Sequence, residues 1–166
     1  MKLEVIVLKG VLLDTSFFIR FLNENDPLCS NADNYFRYFL ENEFDLFIST
    51  IAIGEYCVGG SVDELPLQNM RVLPLNYDHA VKAGKFGRIL FNHRRIGKLE
   101  TSNRVIIPND AKMFAQADVE KNISQFVTSD TESIKLFNAI KEDIIPQFEI
   151  IDINTPHTEY FGLLGL

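Results

Sequence analysis

The sequence contains few of the residues that several classes of protein require. Only two of its 166 residues are cysteines, Cys29 and Cys57, which excludes a four-thiolate zinc site and argues against a disulfide framework. It has no tryptophan, and its three histidines are scattered, so no histidine cluster is available to recruit zinc. We expect His79, His93 and His157 to lie at the surface.

Long apolar stretches are also missing. No segment approaches the roughly 18 to 20 apolar residues that a membrane-spanning helix needs. The N-terminal sequence MKLEVIVLKG is interrupted by Glu4 and Lys9, and no small-residue cleavage site follows, so it is a poor signal peptide. These features predict a cytoplasmic protein with reduced cysteines and no membrane association.

Basic residues are outnumbered by acidic ones. The 16 lysines and arginines and the 23 acids give a formal net charge of −7 and a pI of about 4.9. Proteins that bind nucleic acids are more often basic, so this balance argues mildly against such a substrate. It also fits a site crowded with carboxylates that bind hard cations.

Apolar residues are plentiful enough for a substantial core. They make up 46% of the chain and include 14 phenylalanines. We find no repeat, low-complexity segment or linker, and residues 1–166 are therefore expected to form a single domain.

Short apolar runs alternate with longer helical patterns. This alternation predicts an α/β fold, with a parallel sheet covered by helices on both faces. Pro74 lacks an amide donor and places the third strand at an edge of the sheet. The predicted strands are 11–13, 45–49, 71–75, 125–128 and 148–153. The predicted helices are 17–22, 27–40, 51–60, 78–93, one beginning at 110, and 131–145.

Four acids lie near the ends of predicted strands. Asp14 and Asp130 directly follow strands, Glu55 lies in the helix after the second strand, and Asp110 opens a helix. Each one alone could be a helix cap or a solvated side chain. Because parallel strands place their carboxyl ends at one edge of the sheet, together they predict an acidic cleft.

Carboxylates gathered in one cleft repel one another, and some take up protons unless a cation binds. A site built from oxygen ligands suits Mg²⁺ or Mn²⁺. Such a site supports phosphodiester hydrolysis, because a bound metal activates water and stabilises charge on the phosphate oxygens.

The ordered segments around these acids resemble PIN-domain nucleases, specifically VapC-type toxin ribonucleases. They are VLLDTSFFI (11–19), STIAIGEYCVG (49–59), LPLNYDHAV (73–81), DAKMFAQA (110–117) and FVTSD (126–130). The resemblance implies a three-layer sandwich with five parallel strands in the order 3-2-1-4-5. It also implies a Mg²⁺- or Mn²⁺-dependent endonuclease acting on single-stranded RNA, which forms a homodimer and is often blocked by an antitoxin protein.

The resemblance assigns roles to particular residues. It makes Asp14, Glu55, Asp110 and Asp130 the metal-binding acids, with Asp130 acting through water. The supporting hydroxyls in the matching motifs belong to Thr15, Ser16, Ser49 and Thr128.

Three features depart from the family pattern. Lys112 replaces a usually apolar residue and is expected to face solvent. The first ten residues form an extension before the first strand, and the polar connection at 93–108 is long. These departures leave the match of the acids intact but put membership of the toxin group in question.

Basic residues concentrate between positions 82 and 104. Candidates for contacts with an RNA backbone are Lys85, Arg88, Arg94, Arg95 and Lys98, accompanied by Lys82, His93 and Arg104. The alternative is a solvated helix face whose cations pair with acids elsewhere. The apolar tail at 154–166 is expected to dock on the domain or on a partner.

Two other functions compete with that of a nuclease. A catalytically silent PIN-fold module could bind RNA or a protein partner, although such a module has no need for four clustered acids. The second alternative is a different protein with a doubly wound sheet. A nucleotide-binding domain would need a glycine-rich loop where DTSFF stands, and a receiver-like domain would need a suitably placed lysine after a late strand.

Overall fold

Five parallel strands form a single sheet at the centre of the computed structural model, which describes residues 9–100 and 105–163. The strands are β1 (Gly10–Leu13), β2 (Asp45–Ser49), β3 (Arg71–Leu73), β4 (Ile123–Thr128) and β5 (Glu149–Asp152). Their order is β3-β2-β1-β4-β5, and every neighbouring pair is parallel. The predicted α/β fold and strand order are therefore confirmed.

Helices connect these strands. They are α1 (Thr15–Phe21), α2 (Cys29–Glu41), α3 (Thr50–Tyr56), α4 (Tyr77–Arg95), α5 (Asn109–Val119), α6 (Thr131–Asp143) and α7 (His157–Tyr160). Two short 3-10 turns, Val62–Glu64 and Leu67–Asn69, lie between α3 and β3. The chain leaves β1 towards β2 and β4 towards β5 in opposite directions across the sheet. Because crossovers between parallel strands are right-handed as a rule, α2 and α6 are expected on opposite faces of the sheet.

Two predicted boundaries shift for local reasons. Strand β3 ends at Leu73, directly before Pro74, and it is an edge strand as predicted. Helix α3 ends at Tyr56 instead of at the glycine pair. The backbone amides of Gly59 and Gly60 both donate to the Tyr56 carbonyl, so these residues close a turn after the helix.

The core is built mainly from strand residues and aromatic rings. All four residues of β1 are buried, and β1 approaches β4 so closely that a Cβ on Gly10 would lie 2.0 Å from the Asn122 carbonyl oxygen. Only glycine fits at that point. The C-terminal tail, as far as Leu163, docks on the domain itself, since the Phe161 ring stacks on Tyr38 with centroids 4.2 Å apart.

The histidines correct one expectation, because His79 and His93 are buried. The His79 Nδ1 accepts a hydrogen bond from the Asn76 amide at 3.1 Å, and its Nε2 lies 2.8 Å from Glu120. The His93 Nε2 lies 3.0 Å from an oxygen of Asp143. Burial is tolerated because the rings have polar partners.

Within residues 9–100 and 105–163, none of the helices combines the length and the apolar character needed to cross a membrane.

Candidate active site

The four predicted acids converge at the carboxyl edge of the sheet. Asp14 and Asp130 are the N-caps of α1 and α6, directly after β1 and near the end of β4. Glu55 lies in α3, which follows β2, and Asp110 is the second residue of α5. The charges of Asp14, Asp130 and Glu55 all raise the pKa of Asp110, so the four carboxylates act on one another.

Asp14 is the most enclosed of the four, with 3% of its surface exposed. Its Oδ1 accepts a hydrogen bond from the Thr15 amide at 2.8 Å. Its Oδ2 accepts two more, from the hydroxyls of Ser16 at 2.7 Å and Thr128 at 2.8 Å. Burial raises the pKa of Asp14 above its ordinary value of 3.8, although these three hydrogen bonds oppose the shift.

Glu55 is held from two sides. The Thr15 hydroxyl donates to its Oε2, and the Asn109 side-chain amide donates to its Oε1 at 2.7 Å. The Asn109 oxygen in turn accepts from the Lys112 ammonium at 3.0 Å. Lys112 was expected to face solvent, but it is half-buried and contacts the group that positions Glu55.

Asn109 was missed in the sequence because its contact with Glu55 joins residues 54 positions apart. The only local signal was its position directly before Asp110 in the segment PND.

Asp110 does not cap α5, so the helix cap considered as its alternative role is not what the structure shows. Pro108 occupies the N-cap position and Asn109 begins the helix, so Asp110 lies inside the first turn. Burial, followed by the charges of Asp14 and Asp130, raises the pKa of Asp110 to about 7.

The remaining hydroxyls organise the strand ends. Thr128 accepts a hydrogen bond from the Asp130 amide at 3.0 Å while donating to Asp14, so it links the ends of β1 and β4. Ser49 caps α3, the helix that carries Glu55, by accepting from the Ile51 amide at 3.0 Å. Asp130 itself accepts from the Glu132 amide at 2.9 Å.

The donor set fits a hard divalent cation in its chemistry. All four side chains offer carboxylate oxygens. Burial is the main cause of the raised pKa values of Asp14 and Asp110, and the charges of neighbouring acids add to both shifts. Among the described residues, no three His, Cys, Asp or Glu side chains are yet placed to hold an ion together. Binding a cation would therefore require the carboxylates to draw closer together.

Part of the basic segment is occupied by acidic partners. Lys82 pairs with Asp118 at 2.7 Å, and Lys98 lies 3.5 Å from Glu142. Glu142 is near the end of α6, whose 13 residues span about 20 Å from the end that Asp130 caps. Lys98 is thus separated from the acids by roughly the length of α6.

The other members of this segment differ in their surroundings. The Arg94 guanidinium donates to the Val105 carbonyl at 3.4 Å. Lys85, Arg88 and Arg95 are exposed on α4 and stay candidates for contacts with RNA. Arg104 lies outside the described residues, as does most of the N-terminal extension.

Comparisons with known proteins support the fold. Neither the known family models nor the curated proteins give a match. A chain in the crystal structure of DNA-bound VapBC from Salmonella typhimurium is 19% identical, with a TM-score of 0.52 over 87% of this chain and 98% of the other. A chain of VapBC2 from Rickettsia felis, bound to a DNA fragment from its promoter, is 16% identical, with a TM-score of 0.54 over 86% and 98%. The chain therefore has the PIN fold of VapC-type proteins, as the order of its acidic motifs predicted.

Proposed function

We propose that this protein is an endoribonuclease that uses Mg²⁺ or Mn²⁺ to hydrolyse phosphodiester bonds in single-stranded RNA. We base this proposal on one feature of the site: Asp110 is partly buried beside Asp14, Asp130 and Glu55, and its pKa is raised to about 7. Such crowding is costly in a scaffold and useful in a site that takes up a cation. The PIN fold, shared with two VapBC structures, supports the same function.

Hydrogen bonds hold two of the acids, Asp14 and Glu55, before any ligand binds. Asp14 is held by three donors, and its Oδ1 accepts only one of them, which leaves a lone pair for a cation. Glu55 is held by Thr15 and Asn109, each on a different oxygen. A bound divalent ion would supply an activated water and neutralise charge on the phosphate. Because hydrogen bonds already hold Asp14 and Glu55, fewer side chains have to be ordered when the carboxylates draw together around an ion.

We also propose that the protein is the toxin of a toxin–antitoxin pair and forms a homodimer. Both structural neighbours are VapBC complexes, and the resemblance to VapC-type toxins implies an antitoxin that blocks the site. A groove beside Glu55 offers a binding place for a segment of the antitoxin. It is lined in part by Ile19, Leu22, Tyr56 and Val58, and Val58 is 90% exposed.

The direct test is cleavage of single-stranded RNA by the purified protein in Mg²⁺, in Mn²⁺ and in excess EDTA. We expect cleavage with either metal and none in EDTA, because the acids cannot stabilise the phosphate's charge without a cation. A folded protein that binds RNA but leaves several RNAs intact in both metals would favour the catalytically silent module instead.

A further inference from the structure

A cavity of about 460 Å³ adjoins the acidic cluster on the side of Asp130. Its lining includes Ser16, Arg20, Leu28, Ser129, Asp130 and Asn154, and we call it the Arg20 cavity. Its size lies within the range of small-ligand sites. The residues that line the cavity come after β1, β4 and β5 in the chain, so the cavity lies at the carboxyl edge of the sheet, where the connections from β1 and β4 diverge. Ligands of doubly wound sheets usually bind at this position.

Arg20 is held in place by a neighbouring acid. Its Nη1 lies 2.6 Å from the Asp26 Oδ2, and Asp26 also accepts a hydrogen bond from the Leu28 amide at 2.8 Å. The Asp26 side chain is only 8% exposed, whereas that of Arg20 is 40% exposed. The guanidinium is thus anchored at one nitrogen, and its remaining donors can form the paired hydrogen bonds that suit a phosphate.

Ser129 provides an independent sign of a polar ligand. The residue is 93% buried, being 7% exposed, and its Oγ has no hydrogen-bond partner among the described residues. A buried hydroxyl without a partner is unfavourable and uncommon. Ser129 lines the Arg20 cavity, and rotation about its Cα–Cβ bond would let this hydroxyl bind an oxygen-rich ligand there.

We propose that the Arg20 cavity binds the RNA phosphate next to the scissile one, with Arg20 as its clamp. This subsite rests on the proposed function, because Asp130 lines both the cavity and the acidic cluster, so one strand can occupy both. The cluster repels RNA, and Arg20 is the one cation among the residues that line the cavity. A strand that extends from the acids into this cavity therefore meets a positive contact at Arg20.

The test measures RNA binding separately from cleavage. Fluorescence anisotropy of a labelled single-stranded RNA in EDTA would compare the wild type with Arg20→Gln. The matched control is Arg37→Gln, an arginine on α2 that is 69% exposed and paired with Asp33 at 2.9 Å. We expect Arg20→Gln to raise the Kd by about 10-fold and to lower the slope of log K against log salt by about 0.7, with no change for Arg37→Gln.

A second variant avoids the Arg20–Asp26 pair. Thr131 is the exposed first residue of α6, where a negative charge favours the helix, so Thr131→Glu should fold normally. We expect it to weaken RNA binding at least 3-fold by repulsion at the rim of the cavity. If the wild type bound RNA without cleaving it and Arg20→Gln lost that binding, the proposed nuclease activity would be refuted but this subsite would be supported. The subsite would be overturned if the wild type, Arg20→Gln and Thr131→Glu bound RNA with equal affinity, or if none of them bound RNA. Equal affinity is also the result expected if the cavity binds an acidic peptide instead of RNA.

Discussion

Replacing Asp14 with asparagine should lower metal-dependent RNA cleavage by roughly 100- to 1,000-fold. Asp14 is 3% exposed and lies at the end of the central strand, so its carboxylate is the best placed of the four to hold a cation away from bulk water. Asparagine keeps one oxygen but loses the negative charge. The initial rate of cleavage in Mn²⁺ is the measurement.

The fold should survive this change. The Ser16 and Thr128 hydroxyls that donate to Asp14 can rotate and accept from the new amide, since a hydroxyl both donates and accepts. Asp33→Asn is the control, because Asp33 is an acid on α2 whose side chain is 41% exposed and paired with Arg37. If Asp14→Asn retained a tenth or more of the wild-type rate, Asp14 would not be a principal metal ligand.

Replacing Asp110 with asparagine should stabilise the metal-free protein at pH 8 by about 2 to 4 kcal/mol. The pKa of Asp110 is about 7 in the folded protein, against an ordinary value of 3.8. Between these values the folded chain holds a proton that the unfolded chain has released, so wild-type stability falls as the pH rises through this window. Above pH 7 the folded protein must carry a charge that is partly buried and close to other acids, and asparagine removes that charge.

This gain should depend on pH and on metal. Near pH 4 Asp110 is largely protonated in the folded state, so most of the stability difference between variant and wild type should vanish. Urea unfolding in EDTA at pH 4, 6 and 8 measures the trend. A variant that is equally stable or less stable than wild type at pH 8 would show that charge crowding at Asp110 is not costly.

The central strand and its acid could be predicted because their signals are local. Val11, Leu12 and Leu13 form an unbroken apolar run that ends at Asp14, and all three are fully buried in β1. A buried parallel strand requires such a run, and the position after it must lie at the carboxyl edge. The position of Asp130 could be predicted in the same way, because it comes shortly after β4.

The features of the structure that could not be predicted depend on contacts between residues that are far apart in the sequence. Asn109 supports Glu55 only because α5 begins beside α3. His79 is buried because Glu120, 41 residues away, supplies a partner for its ring. Arg20 is held by Asp26 and shares its cavity with residues that follow β4 and β5. Sequence spacing alone carries no information about such juxtapositions.

The most direct test of the central claim, that four acids from separate junctions form one cation site, is a calorimetric titration of the metal-free protein with Mn²⁺. We predict saturable binding by the wild type and by Asp33→Asn. Binding should be at least 10-fold weaker in Asp14→Asn and in Asp110→Asn, because each loses a carboxylate from the cluster. Absence of Mn²⁺ binding by folded wild type, or equal affinity in all four proteins, would contradict it.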